Sequence, residues 1–151
     1  MIFIGIDPGK NGGIALITMD NSIVNTIPYS DDSLLLWTRG AKNTDECVAY
    51  VEAVHAMPGQ GVTSMFNFGK NYGYILGVLE SYHIPIVNVT PQKWKKYMGV
   101  TSDKNTSIEL CQKLFPDINL LATNRSRKPN DGMAEALLIA EYGRRVHGQK
   151  G

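Results

Sequence analysis

The chain has 151 residues, 43% of them hydrophobic, with 15 Lys and Arg against 14 Asp and Glu. That suffices for one domain with a hydrophobic core, spanning residues 1–151, and no apolar run reaches the length of a membrane span. With strand-like sequence from the first residues and no signal-peptide pattern, a cytosolic protein is expected.

Residues 2–7 (Ile-Phe-Ile-Gly-Ile-Asp) read as a buried strand closing on Asp7, followed by the turn Pro8-Gly9-Lys10-Asn11-Gly12-Gly13. Residues 13–19 and 22–28 read as two more strands joined at Asp20-Asn21, a tight hairpin signal. Asp31 to Trp37 reads as a short capped helix, and residues 47–54 as a fourth strand with Glu52 inside it. A loop through Pro58-Gly59-Gln60-Gly61 leads into a helix of roughly twenty residues. Ile84 to Val89 make a fifth strand, and Thr90-Pro91 starts a helix with proline in its first turn. Ser102-Asp103 caps a helix running to about Phe115 and stopped by Pro116. After a polar segment to Asn130, residues 131–145 form the last helix. Cys47 and Cys111 fall in apolar, periodic segments without CxxC spacing, and read as buried reduced thiols.

Four acids stand out. Asp7 ends one apolar strand, Glu52 interrupts another, and Asp131 and Glu135 are four apart on one helix face. A carboxylate in a buried strand is costly without a cation or hydrogen bonds, and several converging on one point suggest a site for hard divalent ions such as Mg²⁺. Phosphodiester hydrolysis suits such a site, because two ions about 3.5–4 Å apart activate water and relieve charge on the leaving oxygen. Asp7, on the first strand, would bridge the ions.

Charge is uneven along the chain. Residues 1–90 hold four Lys and Arg against eight Asp and Glu, whereas residues 91–151 hold eleven against six. A basic half of a near-neutral chain suits a polyanion or is simply a solvated face. Lys93, Lys95 and Lys96 cluster with Trp94 and Tyr97, and Lys104, Arg125, Arg127 and Lys128 follow. Together they read as a phosphate-tracking surface, with Trp94 packed inward and no base-reading motif. Gly69, Gly73 and Gly77 recur every four residues of the long helix, each costing about 1 kcal/mol against Ala. Either that helix lies tight on its own sheet, or the stripe is the seam of a homodimer.

Ile4-Gly5-Ile6-Asp7-Pro8-Gly9 with Gly12-Gly13, Val51-Glu52-Ala53-Val54, and Asp131-Gly132-Met133-Ala134-Glu135-Ala136-Leu137 resemble, in that order, three motifs of the RuvC-type Holliday junction resolvases. The last is in a phage-like spelling. Three antiparallel strands, then strand–helix–strand, then helices, is the order of a ribonuclease H-like α/β fold with a mixed five-stranded sheet flanked by helices, and the resemblance, covering about residues 2–145, implies the same fold. It further implies a homodimeric endonuclease that nicks opposed strands of a four-way DNA junction, in a bacterial or phage-infected cell. Asp7, Glu52, Asp131 and Glu135 would be its catalytic and metal-binding acids, with two Mg²⁺ per site, Mn²⁺ substituting, and neither a membrane nor a small-molecule substrate. His55, three residues past Glu52, is either a loop residue at the rim of the site or the side chain that the resemblance places at the junction centre. Two departures stand against the family pattern: the last acids are four rather than three apart, and the stretch between Asp7 and Glu52 is short. The rivals are a ribonuclease H-like nuclease for RNA or other branched DNA, and a binding module that cuts nothing. An actin-like sugar kinase, suggested by the glycine-rich opening, needs a second domain that this length does not provide.

Overall fold

A computed structural model describes residues 1–53 and 58–150. The candidate His55 and the expected last strand residue Val54 lie outside them. Five strands form one sheet: β1 (Ile2–Asp7), β2 (Gly13–Thr18), β3 (Val24–Pro28), β4 (Cys47–Glu52) and β5 (Ile86–Val89). Their order is β3-β2-β1-β4-β5. The first three are antiparallel, whereas β4 runs parallel to β1 and β5 parallel to β4. Helices flank this mixed sheet: α1 (Asp31–Thr44), α2 (Val62–Ser81), α3 (Pro91–Met98), α4 (Lys104–Leu114) and α5 (Asp131–Lys150). This is the ribonuclease H-like topology. Among the described residues, no helix is long and apolar enough to cross a membrane.

The sheet separates two cores. Ile2, Ile4, Ile6, Ala49 and Val51 point to one side, where Leu34 of α1 and Ile75 and Leu79 of α2 cover them. Phe3, Val48 and Tyr50 point to the other, beneath Trp94 and the run Met133 to Ala140 of α5. The two-residue strand period thus sorts β1 and β4 between both layers. Cys47 and Cys111 are buried, free thiols.

Several boundaries differ from expectation. The helix expected to stop at Trp37 runs on to Thr44, because Leu34, Thr38 and Ala41 continue one buried face past Gly40. Strand β5 starts two residues later than expected, at Ile86. The last helix continues past Arg145 to Lys150. Strand β3 begins at Val24 rather than residue 22, since Thr18 and Asp20 bond the turn through Ser22 and Ile23.

The glycine stripe of α2 does not lie tight on the sheet. A Cβ at Gly69, Gly73 or Gly77 would meet nothing within 4 Å. Close approach is used elsewhere. A Cβ at Gly5 of β1 would stand 2.1 Å from the Ala136 carbonyl oxygen, and one at Gly13 of β2 2.4 Å from the Gly132 carbonyl oxygen. One at Gly132 would stand 2.2 Å from the Asn11 carbonyl oxygen, and one at Gly143 2.3 Å from the Tyr50 ring. The contacts at Gly5, Gly13 and Gly132 seat α5 backbone-to-backbone on β1, β2 and the turn between them, and Gly143 makes room for the Tyr50 ring of β4. Gly5→Ala should therefore cost about 1–3 kcal/mol or more by forcing α5 outward. Gly77→Ala, a helix substitution into open space, should gain about 1 kcal/mol in the monomer. Urea melts of both variants check the contrast.

Candidate functional site

The seat of α5 places its first turns beside the ends of β1 and β4. Asp7 and Glu52 are the last residues of these adjacent parallel strands. Asp131 opens α5 and Glu135 follows one turn on. Asn130 Oδ1 accepts the Met133 amide, and Thr26 Oγ1 of β3 donates to the Met133 carbonyl at 2.8 Å, which pins this end of the helix. Of the acids, Glu135 is buried, while Asp131 keeps an exposed side chain.

Two lysines enter this cluster. Lys104 Nζ, from the start of α4, donates to Glu135 Oε1 and lies 3.6 Å from Asp131 Oδ2. Lys95 Nζ, from α3, sits 3.4 Å from Glu135 Oε2 without forming a hydrogen bond, and among the described residues that buried oxygen has no hydrogen-bond partner. On the far side, Trp94 Nε1 donates to Glu52 Oε2 at 2.8 Å. That bond accounts for a fully buried tryptophan whose polar edge reaches the site.

Burial pushes the Asp7 carboxyl up to about 8, and the negative charges of Glu52, Glu135 and Asp131 add to it against the pull of Lys104. Burial also raises Glu52, opposed by the Trp94 bond. For Lys104, burial works against the charged form, but the bond to Glu135 and the charges of Glu135, Asp7 and Asp131 prevail and raise its pKa. Asp7 thus feels the other three acids and the Lys104 ammonium group together.

The expected pair of Mg²⁺ or Mn²⁺ ions does not fit this arrangement. Among the described residues, no group of three or more His, Cys, Asp or Glu is placed to hold a metal ion. Lys104 takes up Glu135 and Asp131, and Trp94 takes up Glu52, so positive charge comes from the chain itself. Glu141, further along α5, is held away from these acids by Arg144 and Arg145 at 2.7 and 2.9 Å.

The remaining candidates scatter more widely. Lys93 and Lys96 are exposed on α3, and Arg125, Arg127 and Lys128 on the irregular segment before α5. Lys95 and Lys104, expected to track phosphates, lie against Glu135. Gly12 and Gly13 are packed against backbone: a Cβ at Gly12 would stand 1.8 Å from the Asp7 carbonyl oxygen. Sequence reasoning missed the Trp94–Glu52 bond and the position of Lys104, and no local pattern signals either.

No known family profile matches this sequence, and no curated protein matches it either. Solved structures do match its fold. Thermus thermophilus RuvC in complex with a Holliday junction substrate superposes with a TM-score of 0.66 at 14% identity, covering 100% of this chain and 96% of that one. A second Thermus thermophilus RuvC structure gives 0.60 at 12% identity, covering 97% of each. The yeast mitochondrial Holliday junction resolvase Ydc2 gives 0.56 at 16%, covering 97% of this chain and 79% of that one. Identities this low carry the ribonuclease H-like fold and no more.

The Asp7 shift has a stability consequence. Between about pH 4 and 8 the folded chain holds a proton that the unfolded chain has released, so stability falls as pH rises through that window. Asp7→Asn should flatten the fall and raise the melting temperature most at pH 8 and above. Thermal melts from pH 4 to 9 measure it.

Proposed function

We propose that this chain is an endonuclease for branched DNA, with the four-way junction as preferred substrate, acting as a homodimer. The observation that carries the reading is the convergence of Asp7, Glu52, Asp131 and Glu135 with Lys104 and Lys95 at one sheet end. Hydrolysis of a phosphodiester needs a group to take the proton of an attacking water and positive charge to meet the developing oxyanion. The carboxylates can serve the first need and the lysines the second. Fold similarity to a RuvC seen with a Holliday junction supports branched DNA over other substrates.

Exposed Lys93, Lys96, Arg125, Arg127 and Lys128 are the phosphate contacts in this reading, positioning the junction arms by charge. The dimer is proposed along α2. Val62 and Phe66 are 86% and 69% exposed, and they continue the open row of Gly69, Gly73 and Gly77 at helical spacing. Small residues in such a row let a second helix approach closely, and a two-fold dimer matches two opposed scissile phosphates.

Incubation with a labelled four-way junction, a matched duplex and an RNA–DNA hybrid tests the activity. Paired symmetric nicks in the junction alone, abolished by Asp7→Asn with junction binding retained, are expected. Normal cleavage by Asp7→Asn would remove the acids from the chemistry, and cutting only the hybrid would move the substrate to RNA. Gly73→Glu should convert the dimer to monomer in sedimentation; an unchanged dimer would place the seam elsewhere.

A further inference from the structure

The cleft beside Asp7 encloses about 960 Å³ and has two unlike walls. Asp7, Asp131 and Lys104 form one, which the proposed chemistry uses. The other is built from Tyr29, at the end of β3, and from Ser64, Asn67, Phe68 and Asn71 of α2. Ser64, Asn67 and Asn71 are spaced three and four apart, so one helix face presents them together. This face is distinct from the glycine row.

The second wall is organised. Asn71 Nδ2 donates to Tyr29 Oη at 3.1 Å, and Tyr29 Oη donates to Asp31 Oδ1 at 2.8 Å. Burial and that bond to Asp31 push the Tyr29 phenol well above its ordinary pKa, so it stays a neutral donor. Asn71 is thereby held in one orientation, and among the described residues nothing bonds its second side-chain N–H or its side-chain carbonyl oxygen. Asn67 is exposed and adds another amide. Phe68 is 39% exposed, with ring atom Cε2 3.7 Å from where a Gly9 Cβ would stand, so the ring stands over the turn after Asp7 rather than in the core.

These groups discriminate among ligands. A phosphate would meet the Asp31 carboxylate on this wall, whereas Lys104 lies on the opposite wall of the cleft, which Lys10 also lines. A purely apolar ligand would leave the amides unpaired. A nucleobase satisfies both demands: a π-face for the Phe68 ring and an edge of adjacent donors and acceptors for the two amides. We infer that this wall is a nucleobase subsite, in which Phe68 stacks on an unpaired base and Asn67 and Asn71 bond its edge, next to the phosphate facing Asp7. The inference rests on the nuclease reading for its substrate. It gives that site a preference for certain bases beside the cut.

The test uses the full chain and single-stranded pentadeoxynucleotides carrying an abasic residue at each position in turn, with binding followed by fluorescence anisotropy. One abasic position should weaken wild-type binding about 10-fold, the scale of base–aromatic stacking. Phe68→Leu, which keeps apolar bulk without a π-face, should bind the intact oligonucleotide about 10-fold more weakly and ignore that abasic position. Asn67→Ala, at an exposed position, should change which base is preferred there and serves if Phe68→Leu fails to fold. Equal binding of intact and abasic strands by wild type, or unchanged abasic sensitivity in Phe68→Leu, overturns the subsite. Junction cleavage by the same preparations separates the two ideas. Cleavage with base-indifferent binding removes the subsite and spares the nuclease. Base-dependent binding without cleavage of any DNA spares the subsite and removes the nuclease.

Discussion

Everything at the site depends on how closely α5 lies on β1 and β2. Helices normally keep 8–10 Å from a packing partner because side chains intervene. Here Gly5 and Gly13 remove the intervening atoms on the sheet, Gly132 removes them on the helix, and carbonyl oxygens approach where Cβ atoms would otherwise stand. The consequence is positional. Asp131 and Glu135 are delivered to the strand ends carrying Asp7 and Glu52, rather than a side-chain layer above them.

Crowding carboxylates there raises an electrostatic problem that the chain solves in two ways. Protonation is one: burial and its acidic neighbours keep Asp7 neutral to about pH 8. Internal cations are the other, with Lys104 and Lys95 brought in by α4 and α3. Glu141 on the same helix shows the alternative outcome. Burial would raise it too, but bonds from Arg144 and Arg145 prevail and hold its pKa down, leaving a structural ion cluster with no strained proton. A carboxylate held charged by two arginines is inert; one held neutral near pH 7 can exchange a proton with a substrate.

Much of this was legible in the sequence. The apolar runs with terminal or interrupting acids fixed β1 and β4, and the order of hairpin strands, crossover and helices gave the sheet topology. What escaped was long-range. Lys104 meets Glu135 across 31 residues and Trp94 meets Glu52 across 42, separations at which no periodicity operates. The glycines divide for a related reason. Helical spacing makes Gly69, Gly73 and Gly77 conspicuous, but they do not lie on the sheet, while Gly5, Gly13 and Gly132, which seat α5, follow no helical spacing. The expected metal pair failed on the same ground, because four acids in a sequence do not reveal which lysine and which indole will occupy them.

The convergence of the acids around Lys104 is best measured by titrating the Asp7 side-chain carboxyl by carbon-13 NMR, in the wild type and in Lys104→Met. The structure predicts an Asp7 pKa of about 8 in the wild type, rising further once the ammonium is removed. An Asp7 that titrates near 4 in both proteins would mean that the acids do not gather at one sheet end, and the account of the site would fall with it.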